Sequence, residues 1–177
     1  MSSEPLISDE YKNQLIKLHS SKKWGTSAHY QTSKVAAVVT ELGVATVLDY
    51  GCGQGTLKPK LVQSCPTLDV REYDPAIAKK SARPEPAELV ACIDVLEHIE
   101  PDKIDAVLQD LYELSQKAAF FVIATRPAIA VLPDGRNAHL IVETPDYWTE
   151  KILASGWKSI HRKDTGDGRE FLVWLQK

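Results

Sequence analysis

The run Ala45-Thr-Val-Leu-Asp-Tyr, followed by Gly51-Cys-Gly53-Gln-Gly55, constrains this chain more than any other stretch. A short apolar segment ends in three glycines at alternate positions, and a helical pattern over 55–63 starts at the last of them. That order reads as a buried strand, a tight turn and a helix. Glycines in the turn let a ligand approach the backbone, and the new helix offers free N–H groups. The third glycine comes one residue early for the dinucleotide fingerprint, and no Lys-Ser or Lys-Thr follows as in a phosphate-cradling loop. Asp49, just before the glycines, would repel a pyrophosphate and suits a cationic or amine-bearing ligand. Asp74 lies 21 residues after Gly53. At the end of a second strand, it can accept both hydroxyls of a ribose.

The rest of the chain alternates strands with helices. Helical patterns cover 8–24, capped by Ser8 with Leu15, Ile16 and Leu18 as its apolar stripe, and 29–42, stopped by Gly43. Strands are expected at 45–50, 68–73, 88–93 and 118–124, the last apolar enough to be buried on both faces. A short helix follows Asp74-Pro75 to Lys80, and 81–86, with two prolines, is a loop. Pro101 opens a helix to Lys117 with Ile104, Val107, Leu108, Leu111 and Leu114 on one stripe. Residues 126–139 are irregular, and Pro145 opens a helix to Ala154. Strands at 157–163 and 169–175, joined by Asp164-Thr-Gly-Asp-Gly, form an antiparallel hairpin. This pattern is an α/β fold with a mostly parallel sheet. At 177 residues the chain has the size of one domain. We divide it into an N-terminal helical cap over the substrate pocket, 1–43, and a core, 44–177.

No apolar run approaches the length of a membrane-spanning helix, and the first residues lack the basic-then-apolar pattern of a signal peptide. Cys52, Cys65 and Cys92 are odd in number and lack metal-type spacing, which fits a reducing, cytoplasmic setting. The net charge of −3 disfavours a broad nucleic-acid surface. Residues 11–40 nevertheless carry Lys12, Lys17, Lys22, Lys23 and Lys34 and no carboxylate, whereas 85–113 carry nine acids against Lys103. Such opposed patches can steer a charged ligand or be two solvated faces.

The segments Val47-Leu-Asp-Tyr-Gly-Cys-Gly-Gln-Gly, Tyr73-Asp74-Pro75 and Asp94-Val-Leu-Glu-His-Ile, with the terminal hairpin, resemble the class I S-adenosylmethionine-dependent methyltransferases, a Rossmann-like fold. The resemblance covers roughly 44–177. It implies that Gly51, Cys52 and Gly53 pass under the amino-acid end of the cofactor and that Asp49 holds its ammonium. Asp74 would bind the ribose, Tyr73 and Pro75 would flank the adenosine, and Ile93 and Asp94 would sit beside the sulfonium. One departure stands out. Only 19 residues separate Asp74 from Asp94, so the family's third, edge strand is expected to be missing, leaving six strands and no acid for the adenine amino group.

Asp94-x-x-Glu97-His98 places three ligand-type side chains at an i, i+3, i+4 spacing, which on a helix share one side. Oxygen plus imidazole suits Mg, Mn, Fe or Zn. The pattern resembles two metal-dependent groups, the ubiquinone-pathway O-methyltransferases and the small-RNA 3′-end 2′-O-methyltransferases, with His139 as the one candidate fourth ligand. Asp94 is a methylene shorter than their Glu. Without metal, Glu97 and His98 would line the pocket, and neutral His98 can act as general base. Trp24, Tyr30, Arg126, Arg136 and His139 are the candidate acceptor contacts, suited to a planar or anionic small molecule; for Trp24 and Trp148, ordinary core packing is the competing role. The leading reading is a methyltransferase for a hydroxyl or amine of a small molecule. A metal-assisted RNA or nucleotide 2′-O-methyltransferase and a non-catalytic cofactor-binding scaffold are the alternatives. An open sheet edge allows a homodimer beside a monomer.

Overall fold

A computed structural model of the chain describes residues 5–21, 24–164 and 169–177. Strands β1 (Thr46–Tyr50), β2 (Asp69–Tyr73), β3 (Ala87–Ile93), β4 (Ser115–Ala124), β5 (Ser159–Asp164) and β6 (Glu170–Gln176) form one sheet in the order β2-β1-β3-β4-β6-β5. The first four run parallel, and β6 pairs antiparallel with both β4 and β5. The family's edge strand is missing, as expected. Between β2 and β3 the chain holds only a 3₁₀ turn, Ala78–Lys80, so β2 is the sheet edge. Tyr50 is level with Tyr73 on one side and with Cys92 on the other. The ends of β1, β2 and β3 therefore open side by side, where open α/β sheets bind ligands.

Helices cover both faces. On one lie α2 (Thr32–Leu42) and α3 (Leu57–Ser64), whose Val35, Val39, Leu57 and Leu61 pack on Val47, Leu89, Ala91 and Phe120. On the other lie α4 (Ile104–Leu114) and α5 (Pro145–Ala154), whose Leu108, Leu111, Trp148 and Ile152 meet Leu48, Val90, Phe121 and Val173. Each such side chain, fully buried, contributes about 1.5–3 kcal/mol. Trp148 is a core residue, so of the two tryptophans only Trp24 remains for the pocket. No helix of the described residues is long and apolar enough to cross a membrane.

Several boundaries differ from the sequence pattern. α1 spans Asp9–Ser20 and ends before 24; its Ser8 cap accepts from the Tyr11 amide at 3.1 Å, as expected. Its buried face is Tyr11 and Gln14, and Ile16 is 45% exposed. The apolar residues of α1 meet one loop rather than a sheet, so a full stripe is not needed. The second helix begins as a 3₁₀ turn, Ser27–Gln31. α4 starts later than Pro101 and passes straight into β4 at Ser115, whose hydroxyl donates to Leu111 O at 2.8 Å. Asp110, one of the nine acids, is buried: it accepts from Tyr50 OH at 3.0 Å and pairs with Arg83, tying the 81–86 loop to α4. The turn expected at 164–168 lies, from 165 on, outside the described residues, as do Lys22 and Lys23.

Gly43 ends α2 in the left-handed conformation (φ 59°, ψ 38°), and a Cβ there would meet nothing within 4 Å. Gly43→Ala should therefore cost only the backbone term, about 1–2 kcal/mol. Thermal denaturation should show a fall of a few degrees; an unchanged midpoint would mean that the cap does not contribute.

Candidate active site

The glycine turn is held in place by β2. The amides of Gly51 and Cys52 both donate to Tyr73 O, at 2.8 and 3.0 Å. Gly53 N donates to Asp74 Oδ2 at 3.0 Å, and Ala76 N to Asp74 Oδ1 at 2.9 Å. Lys80 Nζ reaches both Gly53 O and Glu72 at 3.2 Å. A strap of the N-terminal region, residues 24–27, lies on the other side of the turn. Gln54 N donates to Gly25 O at 2.9 Å, and Thr56 Oγ1 to Thr26 O at 3.0 Å. Ser27 donates to Asp94. A Cβ on Gly53 (φ 50°) would lie 2.6 Å from Gly25 O, so glycine is required for the two backbones to touch.

These elements enclose one cavity of about 390 Å³. Of the expected residues, Gly51, Gly53, Asp74, Pro75 and Asp94 line one end, and Trp24, Glu97, His98, Arg126 and His139 the other. Asp49, Cys52, Tyr73 and Ile93 are buried and do not form its wall. Two expected acceptor contacts stand apart from it. Tyr30 is 76% exposed, packed on the His29 ring. Arg136 gives its guanidinium to Asp134 at 2.7 and 2.8 Å on the surface, because Asp134-Gly135 turns the chain back on itself there.

Asp49 sits under the turn with its Oδ2 unpartnered. Burial, followed by the Glu72 charge and opposed by Lys80, pushes its carboxyl up to about 7. A cation arriving near it would return the charge to the carboxylate. Burial also raises the Cys52 thiol, which keeps it protonated and excludes it as a nucleophile.

Between the two ends, Asp94 leaves β3 with a positive φ of 53° and a 3₁₀ turn, Leu96–His98, follows. This is not an α-helix, so the i, i+3, i+4 face does not form. One donor atom each of Glu97, His98 and His139 lies within 4.8 Å of the others, while Asp94 stands outside the cluster and accepts from Ser27. The expected four-ligand set is thus reduced to three. Glu97 is fully buried; its Oε1 accepts from Ala124 N at 3.1 Å and its Oε2 has no partner. Burial, then the Asp94 charge, pushes it up to about 8, so the carboxyl is mostly protonated at neutral pH. Burial lowers His98 to about 4 and lowers His139 as well, so both rings are neutral. His98 Nδ1 faces Ala138 O at 2.6 Å and His139 Nδ1 faces Arg126 O at 2.5 Å. A nitrogen facing a carbonyl carries the proton, which assigns a free lone pair to Nε2 of each ring. The rings are 4.8 Å apart, and Trp24 packs edge-on against His98 at 5.1 Å. Arg126 Nε is buried with no hydrogen-bond partner.

Sequence patterning does not single out Gly25, Ser27, Tyr11 or Glu100. Ser8 donates to Glu100, and Tyr11 OH donates to His98 O at 2.7 Å, so α1 is fastened over the Leu96–His98 turn. These are contacts distant in sequence with no local signature. The glycine at 25 is the one visible trace.

The fold and this cavity define the class of Rossmann-like methyltransferases. The sequence matches the family described as "Methyltransferase domain" over residues 27–161, most of its length, and the chain belongs to that family of S-adenosylmethionine-dependent enzymes. Solved structures share the fold. Human N-acetylserotonin methyltransferase in complex with S-adenosylmethionine aligns with a TM-score of 0.65 at 14% identity, over 100% of this chain and 60% of that one. A Burkholderia thailandensis 1,6-didemethyltoxoflavin-N1-methyltransferase, with S-adenosylhomocysteine bound, aligns at 0.65 and 18% identity over 99% and 93%. An O-methyltransferase family protein from Burkholderia thailandensis aligns at 0.59 and 16% over 96% and 59%. The chain therefore spans about three fifths of the first and third of these proteins. No curated protein matches it significantly by sequence.

A carboxyl whose folded pKa is raised favours folding below its unfolded value, near 3.9, and loses that contribution as pH rises through the folded value. For Asp49 that window ends at about 7. Asp49→Asn should therefore stabilise the ligand-free protein more at pH 8 than at pH 5.5, by about 2 kcal/mol. Thermal melts at the two pH values test this; equal shifts would show that Asp49 is ionised throughout.

Proposed function

We propose that the chain transfers the methyl group of S-adenosylmethionine to a hydroxyl or amine of a small, anionic acceptor. The observation that carries this reading is a cavity shared by Gly51, Gly53, Asp74 and Asp94 at one end and Trp24, Glu97, His98, Arg126 and His139 at the other. Asp74 takes the ribose hydroxyls, and Asp49, through its unpartnered oxygen, takes the ammonium, directly or through water. Gly51, Cys52 and Gly53 supply backbone under the amino-acid end. Tyr73 and Pro75 bound the adenosine side, and Ile93 and Asp94 the sulfonium side. Of residues 1–43, α1 and the strap at 24–27 serve as the cap, whereas α2 packs on the sheet as part of the core.

In the transfer, an acceptor lone pair forms a bond to the methyl carbon as the carbon–sulfur bond breaks, and the electron pair stays on sulfur. Positioning supplies most of the rate, because the acceptor must lie in line with that bond. The acceptor's proton passes to a neutral imidazole, His98 or His139, through the free Nε2. Protonated Glu97 donates a hydrogen bond within the same end. Arg126, with an unpartnered Nε, binds the acceptor's carboxylate or phosphate.

A second reading rests on the three donors within 4.8 Å. Glu97, His98 and His139 fit a divalent ion of the Zn or Mn type: both imidazoles are oriented by backbone carbonyls through Nδ1, and Glu97 Oε2 is free. The ion would supply Lewis-acid activation of an acceptor hydroxyl. Metal analysis of the purified protein, with and without His139→Ala, decides between the two; turnover undiminished after removal of all bound metal would leave the base reading.

Incubation with S-adenosylmethionine and a panel of small hydroxy and amino acids, read as S-adenosylhomocysteine formed, tests the function. On the acceptor found, Arg126→Ala should raise KM by about tenfold or more, with kcat little changed. An unchanged KM would remove the anion-binding role, and no turnover on any acceptor would favour the scaffold.

A further inference from the structure

Beyond Asp74 there is no further strand before β3, and the last turn of α1 reaches Asp74 at the end of β2. His19 lies there, its side chain 10% exposed, with Nε2 3.7 Å from Asp74 Oδ2. Its carbonyl accepts from Gln54 Nε2 at 3.1 Å, which fastens it to the glycine turn. Its ring is also close to the strap, since a Cβ on Gly25 would lie 3.1 Å from His19 Cε1. The ring lines the cavity, yet Nδ1 is buried with no hydrogen-bond partner. Burial lowers the ring's pKa against the pull of Asp74, so the imidazole is neutral with one donor and one acceptor. A carboxylate facing Nε2 sets the proton on Nε2, and Nδ1 is then a desolvated acceptor. Leaving such a group unsatisfied costs stability, so the position asks for a donor from outside the protein.

The proposed cofactor offers few. The adenosine half of S-adenosylmethionine carries two ribose hydroxyls, which Asp74 takes, and one further donor, the exocyclic amine of adenine. We propose that His19 is a cofactor-recognition residue whose Nδ1 accepts a hydrogen bond from that amine. The inference rests on the S-adenosylmethionine reading of the cavity. It makes α1 and the strap part of the cofactor site: Asp74 faces His19, the glycine turn faces Gly25, and Asp94 faces Ser27. The N-terminal region then does what an added strand with an acid would do, from the opposite end of the chain.

Calorimetry with 5′-methylthioadenosine and 5′-methylthioinosine tests it, because the second replaces the amine by a carbonyl acceptor. Wild-type protein should prefer the adenine compound, and His19→Ala should shrink that preference by about fivefold to tenfold. His19→Asn, whose side-chain oxygen can stand near the place of Nδ1, should keep most of the preference. His19→Gln, which places its amide toward Asp74, should lose it. The Asn and Gln pair decides the matter even if the Ala variant fails to fold. An unchanged preference in all variants, or an equal loss in Asn and Gln, would overturn the role of His19 while leaving the cofactor reading intact. Failure of the wild-type protein to bind either nucleoside would overturn both.

Discussion

Two amides on one carbonyl fix the geometry on which the site depends. Gly51 N and Cys52 N share Tyr73 O, and this fork sets the direction in which the chain leaves β1. The next amide, Gly53 N, is thereby aimed at Asp74. The outer side of the turn is left bare enough for Gly25 to sit against it. A side chain at 53 would break that backbone contact, and the cap would lose its seat. The turn thus organises the strand ends and the N-terminal strap at once, though they are far apart in sequence.

Around that turn the protein keeps several polar groups underused. Asp49 and Glu97 are fully buried carboxyls, each with one oxygen unpartnered, and both are pushed toward the neutral form. Arg126 Nε and His19 Nδ1 are likewise unsatisfied. Each such group costs stability in the ligand-free state, which a packed core alone would not require. Their placement is consistent with a site whose hydrogen bonds are completed by ligands: an ammonium near Asp49, an anion at Arg126, a donor at His19.

Much of the fold is legible in the sequence. The alternation of apolar runs and amphipathic segments fixes the strands, and the short interval from Asp74 to Asp94, broken by Pro84 and Pro86, announces the lost edge strand. The glycine triplet and Asp74 locate one end of the cavity, because those residues act through local backbone geometry. The other end is harder. The Asp94-x-x-Glu97-His98 spacing suggests a helical face, yet a positive φ at Asp94 and a 3₁₀ turn send Asp94 toward Ser27 instead. His139 joins Glu97 and His98 through a long irregular loop, and such pairing has no periodic signal. Arg136 illustrates the reverse: a promising basic residue is consumed by its neighbour Asp134. The strap leaves almost no trace, since backbone-to-backbone contact is nearly independent of side-chain identity.

Hydrogen exchange with and without S-adenosylhomocysteine tests most directly whether the strap and the strand ends form one ligand site. Added ligand should slow exchange at 51–55, at 74–76 and near 94, and equally at 24–27 and in the last turn of α1. Protection confined to the strand ends, with the N-terminal region unchanged, would contradict a shared site, and protection at neither would remove the cofactor cavity itself.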